Sequence, residues 1–265
     1  MPEGDSLRRA QARVAPVLEG RVREEACFRS LRGHRPRPGQ RVERVEAVGK
    51  HLLVHLDRAL TIHVHLGMSG RIRVGPPDQP LRTGATLRMF LRTEAGTVAC
   101  HAAPTITTYV RDGSPSPVDH LGPDLSDDDV DLAEVVRRAS TTEPGTLLAD
   151  LLLDQRVAAG VGNVFKSEAL FLAGLHPFTR RDALTDEQVE ELWRIAHRLL
   201  VRNRSTPART TTGDPRRDRT FVYGRHRLGC RRCDGPVRFS PAGEVTPRST
   251  YWCPVCQPGP AEREA

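Results

Sequence analysis

The chain has 265 residues, 38% of them apolar, with a formal net charge of +7 at pH 7 and a pI near 9.5. That length suits two ordinary domains or one large one. No apolar run approaches the ~18 residues of a membrane span, and the charged start from Glu3 onward lacks the apolar stretch of a secretory signal, so a cytoplasmic protein is expected.

The chain opens MPEGDSLRRA. A small residue at position two lets Met1 be trimmed, which would expose Pro2 as a free secondary amine, either incidental or a reagent. Residues 5–19 read as a helix, with Leu7, Ala10, Val14 and Leu18 near one stripe. From about 41 to 110 the runs RVERVEAVG, HLLVHL, ALTIHVHLGMSGRIRV, TLRMFLRT and GTVAC are short, β-rich and broken by Gly, Pro and Asp. Within TIHVHL, Ile62, Val64 and Leu66 alternate with His63 and His65, which predicts one buried face and one solvated polar face. Two histidines on one face could also ligate a metal. A helix followed by many short strands predicts a β-sandwich or barrel with helices packed on it. Residues 113–128, rich in Pro, Gly, Ser and Asp, read as a linker after a first domain at 1–112. From 129 to 219 the texture turns helical, with helices expected near 129–139, 146–155, 163–173 and 185–201.

Basicity is concentrated late in the chain. Residues 202–248 hold twelve Arg against Asp214, Asp218, Asp234 and Glu244. A purely solubilising face would mix the signs more evenly, so this segment reads as a surface for an anionic polymer backbone. Lys50 and Lys166 are the only lysines, and a lysine amine titrates near neutrality when desolvated, whereas arginine does not.

Four of the six cysteines fall as Cys230-x2-Cys233 and Cys253-x2-Cys256. In a reducing compartment two such arms suit one tetrahedral zinc held by four thiolates. VRF and STYW, flanking SPAGE, predict a zinc-finger hairpin within 220–257, followed by a disordered tail at 258–265. Four thiolates leave no open position, so this zinc would be structural and would present Arg231, Arg232, Arg238 and Arg248 on a rigid frame. Cys27 and Cys100 stand apart and read as packing residues. The stretch LLLDQRVAAGVGNVFKSEALF reads as helix, Gly-containing turn, helix. Asn163 stands where an N-cap belongs, and it either caps its own helix or joins an anion site at the helix start.

Taken together, the terminal PEG, GKHLL around Lys50, HLGMSG, LLLDQRVAAGVGN and the four-cysteine hairpin with RSTYWCPVCQ resemble the formamidopyrimidine-DNA glycosylase / endonuclease VIII family of base-excision repair enzymes. MPEGDS, LGPDL and the TTGD…VYGR stretch are most similar to its actinobacterial endonuclease VIII-like branch. The resemblance implies an α+β multidomain chain: an N-terminal β-sandwich with flanking helices, a helix-two-turn-helix DNA-binding domain, and a C-terminal four-cysteine zinc finger, with DNA between the domains. It implies a bifunctional DNA glycosylase/AP lyase, monomeric and nucleoid-associated, that binds damaged double- or single-stranded DNA, with a non-catalytic damage-binding protein on the same fold as the alternative.

By the same resemblance Pro2 is the nucleophile, Glu3 protonates the deoxyribose ring oxygen, and Lys50 assists β-elimination. Arg248 clamps the phosphates beside the lesion and assists δ-elimination, and Asn163 takes a matching phosphate contact. Met68 of HLGMSG either fills the gap left by an extruded base or packs in the sheet core. His63 and His65 would then lie on a DNA-facing or solvated surface. No Arg-Arg-Phe-Gly segment occurs near 100–112, where the chain reads CHAAPTITTYVRDG, and the stretch before the finger is short. The first departure bears on the gap-filling residues and the opposing base, and the second favours oxidised pyrimidines and abasic sites as substrates.

Overall fold

The computed structural model describes residues 2–80, 84–113, 115–206, 208–214, 216, 219–242, 245 and 247–259. Two compact units divide between His120 and Leu121. Met1 and residues 260–265 of the expected tail lie outside the described residues.

The first unit opens with α1 (Gly4–Leu18), whose Leu7, Val14 and Leu18 are fully buried. It is followed by β1 (Glu25–Phe28), β2 (Val42–Val48), β3 (His51–Leu56), β4 (Leu60–His65), β5 (Arg71–Gly75), β6 (Leu87–Thr93), β7 (Gly96–His101) and β8 (Thr105–Val110). These form two four-stranded antiparallel sheets, ordered β1-β6-β7-β5 and β2-β3-β4-β8. One core joins Val54, Ile62, Val64 and Ile106 of the second sheet to Met89, Leu91, Val98 and Cys100 of the first and to α1. Gln11 ties α1 to β2, donating to the Val45 carbonyl at 3.1 Å and accepting from the Ala47 amide at 3.1 Å. Burial pushes the Cys100 thiol up to about 12, which fits a packing role.

Strand alternation places Ile62 and Val64 in the core as expected, but the polar face is not solvated. His63 and Thr61 are buried too, because His63 finds its partners in His51 and Thr107, and Thr61 finds its own in His55 and Arg111, instead of in water.

The second unit holds α2 (Leu132–Ser140), α3 (Leu148–Leu151), α4 (Asn163–Ala173), α5 (Asp186–Asn203) and the hairpin of β9 (Arg238–Ser240) with β10 (Thr250–Trp252). Helix α2 begins at Leu132, not 129, because the Asp131 carboxylate accepts from the Glu134 amide at 3.0 Å and caps it there. Thr185 and Gln188 form a reciprocal capping box that starts α5. Trp193, Phe165 and Leu148 sit in the helical core.

Two expectations differ from the structure here. The helix anticipated over 146–155 is only the single turn of α3. Beyond it Asp154 accepts from the Arg156 amide at 2.9 Å, and Gln155 accepts from Gly160 N at 3.1 Å while donating to Val161 O at 3.1 Å. These local bonds give the backbone an alternative to the helix. The supposed linker at 113–128 is, in its second half, part of the helical unit. Leu125 is fully buried in that core, and its amide donates to the Ala159 carbonyl at 3.1 Å. Its polar composition reflected turns rather than freedom. Among the described residues no helix is long and apolar enough to cross a membrane.

Candidate active site and nucleic-acid-binding residues

The two units carry the expected site residues in separate groups. In the first, Pro2 is half-buried and leads directly into α1. Glu3 is the helix N-cap by backbone geometry, its carbonyl accepting from the Ser6 amide at 2.8 Å. Its side chain makes no capping bond, although it is completely buried. The Glu3 carboxyl is thus withdrawn from water directly after Pro2, at the start of α1. Nearby, Asp5 is also buried and pairs with Arg9 at 2.9 Å one turn on.

Lys50 occupies the two-residue turn joining β2 to β3, where Gly49 takes φ 54°. That left-handed conformation suits glycine and tightens the hairpin so that Val48 and His51 form its closing pair. Met68 stands 70% exposed on the turn before β5, so it is not a sheet-core residue.

In the second unit Asn163 is the first residue of α4, and Gly162, with φ −120° and ψ −162°, holds the N-cap position assigned to Asn163 from sequence. The amide of Asn163 is thereby released for another partner. Its Nδ2 donates to Ser249 Oγ at 3.0 Å, which seats it beside the residue that comes after exposed Arg248. Its Oδ1 is buried and unpartnered. A half-turn of the amide would let the Ser249 hydroxyl donate to Oδ1 and would present the NH2 to an anion.

Lys166, one helical turn beyond, is fully buried and donates through Nζ to Ser249 O and to Thr250 Oγ1, both at 3.0 Å. Its charge also pulls against the upward shift that burial gives the Asp150 carboxyl. Glu168, equally buried, accepts from the amides of Phe221 (2.8 Å), Val222 (2.9 Å) and Tyr223 (2.8 Å) and from the Thr211 hydroxyl. Burial pushes its carboxyl up from the ordinary range, and these four donors pull the other way. Helix α4 thus fixes both the Arg248 loop, through Asn163 and Lys166, and the stretch leading into the cysteine hairpin, through Glu168.

Neither role was read from the sequence. Lys166 carried a signal, as one of two lysines among many arginines, but Glu168 looked like any helical acid. Glu168→Gln turns an NH2 toward two of the four donors, and it is expected to cost about 2–4 kcal/mol in urea unfolding.

The four hairpin cysteines converge, with Cys230 and Cys256 Sγ at 3.8 Å, Cys233 and Cys253 Sγ at 3.5 Å, and all four sulfurs within 4.8 Å of one another. Four thiolates about 2.3 Å from a tetrahedral ion stand roughly 3.8 Å apart, so the set fits one metal ion with no vacant position. The hairpin is held to the turn that follows α4 by Gln257, whose side chain donates to Leu175 O at 2.8 Å and accepts from Cys253 N at 3.0 Å. Trp252 packs edge-on to His176 and Phe178.

The comparisons agree with this division. Residues 1–104 match the formamidopyrimidine-DNA glycosylase N-terminal domain, and residues 121–212 match the formamidopyrimidine-DNA glycosylase H2TH domain. The chain is 38% identical to a probable endonuclease 8 2 of Streptomyces coelicolor, covering 99% of this chain and 96% of that one. It is also 38% identical to the DNA-(apurinic or apyrimidinic site) lyase Nei2 of Mycolicibacterium smegmatis, covering 97% and 99% respectively. The crystal structure of the MutM (Fpg) protein from Thermus thermophilus superposes with a TM-score of 0.80 at 30% identity, covering 98% of this chain and all of that one. The chain therefore belongs to the formamidopyrimidine-DNA glycosylase / endonuclease VIII family, in the branch of its actinobacterial endonuclease VIII-like relatives.

Proposed function

We propose that this protein is a bifunctional DNA glycosylase/AP lyase of base excision repair that removes oxidised bases, pyrimidines in preference, through a Schiff base on Pro2. The observation that carries the reading is the Pro2-Glu3 start of a chain whose residues 1–104 match the formamidopyrimidine-DNA glycosylase N-terminal domain, with the Glu3 carboxyl fully buried directly after the proline. An α-amino group has a reference pKa of about 8 against about 10.4 for lysine, so a trimmed Pro2 is substantially neutral at cellular pH. Its lone pair attacks C1′ of the damaged nucleotide and the base leaves with the glycosidic electron pair. The amine then gives up its N–H proton, which neutralises the departing base, while Glu3 protonates the ring oxygen, the C1′–O4′ bond breaks and the sugar opens.

The resulting C1′–nitrogen double bond is an iminium. A secondary amine leaves it no N–H to lose, so the positive charge stays and acidifies the C2′ proton. Loss of that proton, assisted by Lys50, sends an electron pair toward C3′ and expels the 3′ phosphate. A second elimination, assisted by Arg248, expels the 5′ phosphate. Asn163 and Arg248 hold the flanking phosphates, because both belong to the surface that Lys166 and Ser249 fix to α4. Exposed Met68 fills the gap left by the extruded base. Zinc in the four-thiolate site braces the hairpin and takes no part in bond making.

The test is a panel of duplexes, each with one oxidised base or an abasic site. Incision at the lesion is expected, fastest at abasic sites and oxidised pyrimidines, with phosphate left at both ends of the gap. Gel-shifted duplex that is never cut would instead mark a damage-binding protein.

A further inference from the structure

Lys50 rides on a hairpin tip, and tips are where sheets open first. Behind this tip, however, stands a group of histidines, His63 buried and His51 and His65 half-buried. His51, the first residue of β3, faces His65 across the pair with β4, and its Nδ1 lies 2.7 Å from Nε2 of His63. Nδ1 of His63 lies in turn 3.1 Å from the Oγ1 of Thr107, its partner on β8. The His51 ring is stacked on His63 at 5.0 Å and tilted against His65 at 5.0 Å. One hydrogen-bonded chain therefore crosses three strands and ends beside Lys50.

Such a chain cannot hold with both imidazoles protonated, because Nδ1 of His51 and Nε2 of His63 would then both donate. Burial first, and then the charges of His63, His65, His120 and Lys50, bring His51 down to about 3. Burial and His65 bring His63 down to about 4, and burial and Lys50 lower His65. The chain is intact at neutral pH and places no second cation beside the lysine.

We propose that the His51–His63–Thr107 chain is a positioning device for strand cleavage, fixing the hairpin tip so that the Lys50 amine is held where the C2′ proton departs. His51 and His63 act through Lys50 and touch no reacting atom. The inference rests on the assignment of Lys50 to elimination made above.

The experiment separates the two steps in the full-length, metal-loaded protein. Single-turnover cleavage of an abasic duplex reports elimination alone, and base release from an oxidised-pyrimidine duplex reports the earlier step. His63→Leu is expected to slow elimination roughly 10–100-fold while base release and the duplex Kd stay at wild-type values. His63→Gln, whose amide both accepts and donates, is expected to recover most of that loss. Thr107→Val, which removes only the far end of the chain, is expected to give a smaller loss of the same kind, and it serves if His63→Leu does not fold. Wild-type elimination in both chain-breaking variants overturns the inference. So do parallel losses in both steps that His63→Gln does not relieve, which would mark a packing role. Lys50→Ala decides which reading has failed: if it cuts at the wild-type rate, the role of Lys50 falls and takes the inference with it. If it is slow while the chain-breaking variants are fast, only the inference falls.

Discussion

A chain with one unremovable residue ahead of Pro2 is expected to cut an abasic duplex at least roughly 10³-fold more slowly than the trimmed protein. The reason is electronic. Inside a peptide the proline nitrogen is an amide, its lone pair is delocalised into the carbonyl, and it has no hydrogen to exchange for a bond to C1′. Every later step needs the positive nitrogen at C1′ as its electron sink, so nothing downstream compensates. DNA affinity is expected to survive, because Asn163 and Arg248, the residues proposed to hold phosphate, belong to the second unit. Single-turnover cleavage measured beside gel shifts separates the two effects. A blocked chain that cuts at full speed would rule out Pro2 as the nucleophile.

Loss of the metal proposed for the four-cysteine site is expected to have the next largest effect. The hairpin's own core is small, consisting of Val222, Val237, Cys230 and Cys253 against Phe171 of α4. A structural zinc supplies about 10–16 kcal/mol in comparable small modules, far more than such a core can. Cys253→Ser, or chelation, is therefore expected to unfold the segment from about 221 to 257 and to lower DNA affinity on the order of 10²-fold or more as its arginines lose their frame. The damage should reach α4 as well. Lys166 would lose Ser249 O and Thr250 Oγ1, and taking acceptors away from a buried ammonium is costly. Circular dichroism should show one transition in the metal-loaded protein and an earlier, partial one after chelation. Full DNA affinity in metal-free protein would contradict this account.

Much of the molecule was legible in advance because local pattern and tertiary environment agree there. The stripe of Leu7, Val14 and Leu18, the alternation of Ile62 and Val64, and the paired CxxC arms each specify one arrangement. Sequence reading missed where polar residues satisfy one another across long separations. His63 looked solvent-facing because its partners, His51 and Thr107, lie on strands 12 and 44 residues away. Asn163 looked like a cap because nothing local indicated that Gly162 would take that position and leave the amide for Ser249. Residues 113–128 looked like a linker because polar turns resemble a tether until Leu125 is seen buried among helices. Glu168 carried no periodic or spacing signal, since its four donors come from chain segments 43 to 55 residues further on.

The covalent bond itself is the most direct test. Borohydride added during turnover on abasic DNA reduces the iminium to a stable amine, and digestion followed by mass spectrometry locates the adduct. The account predicts a trapped complex whose sugar remnant sits on a peptide that begins at Pro2. An adduct mapped to Lys50, or no adduct from protein that cleaves the DNA, would contradict it.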